Sequence, residues 1–325
     1  MSLPSHDAAP SRSAPVASSK TAAAPSRAAI AAAFATLYFV WGSTYLAIRI
    51  AVATAPPFML AGIRFAVAGL LLLLWRHFRS GVAWPTVREW AGGGGVGACL
   101  VLLSNVAVVF AEKTIPSGVT ALFAAGTPLL IALFNGHRTG TALGTRRAIG
   151  LALGTAGMVL LGSATFAAVH NVAPLFLMAL ASVAWAIGST YGRGWGQSTD
   201  VMMASATQML IGGLLAVLVG LAAGEGQWLQ AHTITWQSAA AWGYLAVVGS
   251  MVAYPVFQWL LSVADATAVA SYTYVNPIVA VALGVILLGE VITIRMMIAT
   301  VVLIPAVVLV VTGAPKAETE VKEEA

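Results

Sequence analysis

Charge is what this sequence has least of. Charged residues make up 8% of the chain and hydrophobic ones 59%, whereas an ordinary soluble domain carries roughly 25% charged residues. A surface that faces water on all sides cannot be built from that composition. The single cysteine, Cys99, lies inside an apolar run. One thiol excludes an internal disulfide and a multi-thiolate metal site, and in that setting it reads as a small buried side chain.

Carboxylates and imidazoles are missing where membrane chemistry would need them. Glu89, Glu112, Asp200, Glu225, Asp265 and Glu290 fall between apolar runs or at their ends, as do His77, His137, His170 and His232. No cluster of acid, base or nucleophile remains to support an enzyme, and neither a metal nor a cofactor is expected. The same lack argues against a relay of buried carboxylates for protons and against a site for permanently cationic drugs, which normally rest on acids inside the membrane. The formal charge is +5, yet the basic residues come one to three at a time with no stripe or stacking platform, which sets nucleic acid aside.

What is abundant is long apolar runs. A bilayer core of ~30 Å needs ~20 apolar residues per helix. On that ruler the chain divides into ten spans, near 28–50, 57–75, 91–111, 117–134, 147–163, 173–191, 200–223, 237–261, 268–288 and 293–312. The expected fold is therefore an all-α integral membrane protein whose partners are the lipid bilayer and a small-molecule solute, as a monomer or a weak homodimer. Residues 1–27, rich in Ala, Ser and Pro, read as a disordered tail, and not as a signal peptide, because the first apolar run already has spanning length. Residues 313–325 form a second, charged tail. With the amino terminus inside, basic residues crowd the inner segments and leave Arg49, Lys113 and Arg295 at the outer ends, which places both tails in the cytoplasm.

The chain also repeats itself. At a shift of 149 residues Pro128 falls on Pro277, Gly140 on Gly289 and Arg146 on Arg295; at a shift of 144, Trp41 falls on Trp185 and Arg64 on Gln208. The units are 28–163 and 173–312, with five spans each. An odd number of spans makes the second unit enter the membrane from the opposite side, so the repeats are inverted. Inverted repeats usually surround a solute site near the midplane.

Candidate site residues are polar or aromatic groups at mid-span. Arg64 is the only ionised residue well inside a span, roughly 10 Å along it from the outer start. It can pair with a solute carboxylate, or it can snorkel to the outer headgroups or cap a neighbouring helix. Tyr38, Trp41 and Tyr45 are spaced three and four, on one helical face, and Trp185 takes the matching place in the second unit. They read either as ring faces for a flat or apolar solute or as helix packing. Trp75, Trp84, Trp90, Trp195, Trp228 and Trp236 stand at span ends, where an interfacial belt accounts for them.

Pro128 and Pro277 free the carbonyls of Ala124 and Thr273, as kinks or hinges beside a wet cavity. Around them, Thr120, Thr127, Ser271, Tyr274 and Asn276, with Ser104 and Asn105 on the third span and Tyr254 on the eighth, point to a shared chamber. Gly92 to Gly95 with Gly97, and Gly150 with Gly154, allow close packing of helices. They do not form a phosphate loop, for want of a strand and a lysine.

Several of these residues also fall into a known pattern. Trp41-Gly42-Ser43-Thr44-Tyr45, Ile48-Arg49, Pro56-Pro57, Arg64-Phe65, Asn276-Pro277 and Gly289-Glu290 resemble the EamA-domain branch of the drug/metabolite transporter superfamily across residues 28–312. The resemblance implies a ten-helix inverted-repeat bundle, with helices 1 to 4 and 6 to 9 around a central cavity and helices 5 and 10 peripheral. It also implies a bacterial inner-membrane carrier, most often an exporter of amino acids and related metabolites, similar in plan to the aromatic amino acid exporters. A multidrug efflux carrier is the alternative within transport; a channel or a non-transporting scaffold is the alternative outside it.

Overall fold

The computed structural model describes residues 25–114, 126–166, 173–288 and 293–313. The tails before and after them, Thr120, Ala124, His170 and Gly289-Glu290 lie outside the described residues. Within them the chain is helical. The long helices are α1 (Arg27–Val52), α2 (Pro57–Ser80), α3 (87–114), α4 (Gly126–Thr139), α5 (Thr145–Phe166), α6 (Ala173–Tyr191), α7 (Val201–Ala222), α8 (Trp236–Val263), α9 (Tyr272–Leu288) and α10 (Ile294–Thr312). Short helices Glu225–Ala231 and Ala266–Val269 join some of them. Six are long and apolar enough to cross a membrane: α1, α2, α3, α6, α7 and α8.

Helix is the form open to these runs, because in lipid every backbone polar group must be satisfied within its own segment. The ends are finished by side chains. Ser26 accepts from the Ala29 N–H, Thr86 and Glu89 form a capping box, and Thr235 accepts from the Ser238 N–H. The first amides of α2 are satisfied from elsewhere in the chain: the Glu225 carboxylate accepts from the N–H groups of Phe58 at 3.2 Å and Met59 at 2.8 Å. Apolar side chains such as Phe39, Leu218, Val301 and Ile304 face outward, as a lipid-facing surface requires. Trp75, Trp84, Trp195 and Trp236 are exposed at helix ends, whereas Trp90 packs against the core. Cys99 is only half-buried, not fully enclosed.

Two helices depart from regular geometry at matching places. α3 widens into a π-helical stretch over Ala98–Asn105, and α8 does so over Leu245–Ala253. The i→i+5 turn is rare and recurs at functional sites; here each stretch ends on residues that face the middle of the bundle.

The packing is paired. α2 lies against α7 and α5 against α10. α1 packs on α9 as α6 packs on α4, α3 on α7 as α8 on α2, and α3 on α6 as α8 on α1. The α2–α7 seam shows the reason at the level of atoms. A methyl built on Gly69 would stand 2.8 Å from the Ala206 carbonyl oxygen, and one built on Gly213 would stand 2.7 Å from the Gly62 carbonyl oxygen. Each would also overlap a backbone nitrogen, of Leu210 and Ala66 respectively. At the shift of 144 residues Gly69 corresponds to Gly213, Ala66 to Leu210 and Gly62 to Ala206, so the two contacts are one contact made twice. Because the partner position falls as the position on α2 rises, the two helices run antiparallel. Only glycine permits this approach.

Ion pairs gather at one end of the bundle. Arg76 at the end of α2 meets Asp200 at the start of α7 at 2.6 Å. Asp200 also accepts from the Met203 N–H and so caps α7. Burial pushes its pKa up, but the bonds from Arg76 and from the α7 amides outweigh this and hold the carboxyl below its usual value. Arg147, buried near the start of α5, meets Asp265 at 2.9 Å, and Asp265 also accepts from the Asn135 amide and caps the short helix after α8. The positions of these charges suggest loops; the structure makes them clasps between helices.

Candidate functional site

A chamber of about 110 Å³ lies in the middle of the bundle, lined from α1, α2, α3, α4, α6, α8 and α9. Both halves of the chain contribute, and among the described residues α5, α7 and α10 supply none of the lining. For α5 and α10 this agrees with the peripheral place that the resemblance implies. α7 differs: its Gln208 is fully buried behind the chamber wall and accepts from the Tyr254 hydroxyl at 2.9 Å.

Nine of the sequence candidates meet here: Trp41 and Tyr45 from α1, Arg64 from α2, Ser104 and Asn105 from the π-helical end of α3, Thr127 from α4, Trp185 from α6, Tyr254 from α8 and Asn276 from α9. Three do not. Tyr38 hydrogen-bonds Ser271 at 2.6 Å outside the lining, as a clasp between α1 and the start of α9. Tyr274 turns the other way. Its ring lies against Gly154 of α5, where a methyl would stand 2.5 Å from the ring carbon that bears the hydroxyl, and it packs with Leu151, Met158 and Leu303. Tyr274 lies in sequence between the chamber-lining Thr273 and Asn276, three residues before Pro277, but on the α5 side of its helix. Gly154 is thus explained by an aromatic ring, whereas Gly150 brings α5 onto the backbone of α10.

Pro277 sits inside α9. Pro128 is buried in the first turn of α4 that is described, and the Ala124 carbonyl it would displace lies outside the described residues.

Arg64 is 4% exposed and does not snorkel. One of its terminal nitrogens donates to the Asn105 side-chain oxygen at 2.5 Å, and its guanidinium carbon stands 4.5 Å from the centre of the Phe65 ring. Its Nε has no hydrogen-bond partner, and neither has the buried Asn276 Oδ1. No Asp or Glu lies within ion-pair distance of Arg64 among the described residues. A buried cation without a counter-charge is costly, and lining it with a chamber leaves room for the missing anion. Among the described residues no carboxylate lines the chamber.

The opposite wall is aromatic. The Trp41 ring packs on Trp185 at 5.5 Å, on Phe257 at 4.9 Å and on Tyr272 at 4.8 Å, mostly edge to face. Such geometry suits aromatic quadrupoles. Phe257 and Trp185 stand about two turns before the ends of α8 and α6, so this cluster lies between the chamber and the end of the bundle that carries the ion pairs.

Besides apolar lining residues and Gly249, sequence reasoning missed four lining residues with a polar group, Thr44, Ser182, Tyr272 and Thr273. Thr44 and Ser182 were within reach: each is three residues from a mid-span tryptophan, Trp41 and Trp185, and so shares its face.

Apolar helices enclosing a polar chamber lined by both halves of one chain define a membrane protein built to hold a solute. The chain belongs to the EamA-like transporter family, which matches residues 28–163 and 172–312. The uncharacterized inner membrane transporter YedA of Escherichia coli is 36% identical over 278 residues, spanning 85% of this chain and 89% of that protein. The transporter YvbV of Bacillus subtilis is 27% identical over 295 residues, 88% of this chain and 92% of YvbV. Protein PecM of Dickeya dadantii is 28% identical over 255 residues, 77% of this chain and 82% of PecM. A solved crystal structure shares the fold with a TM-score of 0.70 at 20% identity, over 87% of this chain and 96% of that one.

Proposed function

We propose that the protein is a secondary transporter of the bacterial inner membrane that exports amino acids or related small metabolites bearing a carboxylate. It works by alternating access through the central chamber. The observation that carries this reading is Arg64, a buried guanidinium with no acidic partner, facing a chamber whose other wall is aromatic. A solute with a carboxylate at one end and an apolar or flat body fits both walls. The unpartnered Asn276 Oδ1 would accept from an amino group.

Two further observations support the mechanism. The antiparallel, self-matching α2–α7 seam is what inverted five-helix repeats would produce, and inverted repeats are the usual basis of rocking between two access states. The ion-paired end, with Arg147 and Arg193 nearby, is the cytoplasmic one on the distribution of positive charge, so both termini lie inside. At about 110 Å³ the chamber is below the ~150 Å³ cavity that accommodates benzene, so it takes a small solute as it stands and must widen between access states to take an aromatic one.

Counterflow in proteoliposomes tests the proposal. Vesicles loaded with L-phenylalanine or L-alanine should accumulate the labelled solute transiently from outside, and hydrophobic cations should not compete. Competition by such cations, with no response to amino acids, would establish drug efflux instead. Steady conductance would mark a channel, and neither signal a scaffold.

A further inference from the structure

A second polar cavity, of about 220 Å³, opens at the ion-paired end of the bundle. Its walls are Arg193, Gln197, Ser198 and Thr199 from the turn before α7, and Gln258 and Ser262 from α8. Among the described residues no acidic one lines it; Asp200, next in sequence to Thr199, is paired with Arg76. Arg193 is exposed, and one of its nitrogens donates to the Leu261 carbonyl at 2.8 Å. A guanidinium has five N–H donors, so that bond leaves most of the fork free. Gln258 is 8% exposed and its Nε2 has no hydrogen-bond partner. A buried amide without a partner is costly, and here it stands on the wall of a solute-sized space beside a cation.

A hydrogen-bonded chain of three side chains links this cavity to the chamber. Tyr254, which lines the chamber, donates to Gln208 Oε1, and Gln208 Nε2 donates to Gln197 Oε1, a residue of the second cavity. The Gln208–Tyr254 pair is the counterpart of the Arg64–Asn105 pair: position 208 matches 64 at the shift of 144, and 254 matches 105 at the shift of 149. Where one repeat places a cation on the chamber, the other places a neutral amide bridge that faces the second cavity on its far side.

We infer that this second cavity is a loading site on the cytoplasmic side, where the carboxylate of a solute rests on Arg193, with the Gln258 amide as a further donor, before it crosses the Gln197–Gln208–Tyr254 bridge into the chamber. The inference rests on the proposed transport of carboxylate-bearing solutes. It goes beyond it in naming a binding place outside the chamber. The bridge is a gate of neutral hydrogen bonds, which break without separating charge.

The test uses the full chain in proteoliposomes with Cys99→Ala and a single reporter, Thr199→Cys, labelled by a membrane-impermeant maleimide applied to the cytoplasmic face. L-phenylalanine is the probe and L-phenylalaninamide the control that lacks the carboxylate. At ten times its dissociation constant the probe should slow labelling about tenfold by occupancy. The protection should persist in Arg64→Gln, disappear in Arg193→Gln and return in part in Arg193→Lys. Ser262→Cys, on the other wall, should report the same pattern.

Protection that disappears with Arg64→Gln but survives Arg193→Gln would overturn the inference, because labelling would then be reporting the chamber. So would equal protection by the amide, or no protection at a concentration that saturates counterflow. Vesicles of phosphatidylcholine with and without phosphatidylglycerol separate solute from headgroup: slowing by the anionic lipid alone, with no further effect of the probe, assigns Arg193 to lipid and overturns the loading site. Counterflow measured on the same vesicles keeps the two readings apart. Counterflow without protection sinks the loading site alone, whereas protection without counterflow sinks transport and leaves the site standing.

Discussion

Replacing Arg64 with Gln removes the charge that faces the chamber while keeping a donor for Asn105, so the fold should survive and recognition should not. Hydrogen bonds to charged groups contribute about 1.5–3 kcal/mol. Losing one to a solute carboxylate should therefore weaken binding by about 10–150-fold. The loss is confined to solutes with the charge, which makes a double-substitution cycle the decisive measurement. Binding of L-phenylalanine and of L-phenylalaninamide would be measured by titration calorimetry in the wild type and in Arg64→Gln. The wild type should prefer the carboxylate, the variant should not, and the coupling energy should fall in the same 1.5–3 kcal/mol range. Tryptophan fluorescence gives an independent readout, since Trp41 and Trp185 line the chamber. If both solutes lose affinity equally, with a coupling within about 0.5 kcal/mol of zero, Arg64 does not meet the carboxylate and the reading of the chamber fails.

Gly213→Ala should destabilise the protein by about 1–3 kcal/mol, the usual cost of overpacking, because its methyl would meet the backbone of α2; Gly243→Ala, at a helical glycine of α8 whose methyl would meet nothing within 4 Å, serves as a control for loss of glycine alone. Melting in detergent compares the two, and equal effects would dissolve the argument for the seam. Asp200→Asn keeps the cap on α7 but removes the ion pair. Since the folded pKa of Asp200 lies below its usual value, the pair stabilises above the unfolded carboxyl pKa of about 3.9 and the gain is lost as pH falls through the folded value. The pair is partly exposed, so the wild type should exceed the variant by only about 0–1 kcal/mol at neutral pH and by nothing in acid; an advantage that persists in acid would rule out the charge as its cause. Trp185→Ala should enlarge the chamber and admit bulkier solutes at a stability cost of about 3–5 kcal/mol, read as a shift in the competition profile of counterflow toward larger amino acids.

The chamber was legible because mid-span polarity in an apolar chain has few explanations. Ser104, Asn105, Thr127 and Asn276 are short polar groups that lipid would penalise, and all four face the chamber. Tyr274 shows where that logic stops: a tyrosine can bury its ring against a glycine, and nothing in its own sequence position tells which side of the helix that glycine is on. The ion pairs were illegible for a related reason. Arg147 and Asp265 are far apart in sequence, and each alone reads as a loop charge. Nor does composition betray the π-helical turns, since Ala98–Asn105 and Leu245–Ala253 are mostly apolar stretches like the helices around them. The repeat itself was visible from a handful of coincident residues, but the glycine pair that makes it physical, Gly69 with Gly213, was not among those that drew attention.

That seam fits its own mirror position, and a surface that fits itself belongs to no particular copy. Severed into separate five-helix polypeptides, the protein would need molecules inserted both ways up in the same bilayer to rebuild it. Fusion into a single gene product removes that burden and releases each half from having to serve in both postures. The cation at position 64 and the amide at position 208 are what such freedom would leave behind if the repeats are inverted as proposed: one template, specialised separately in each half.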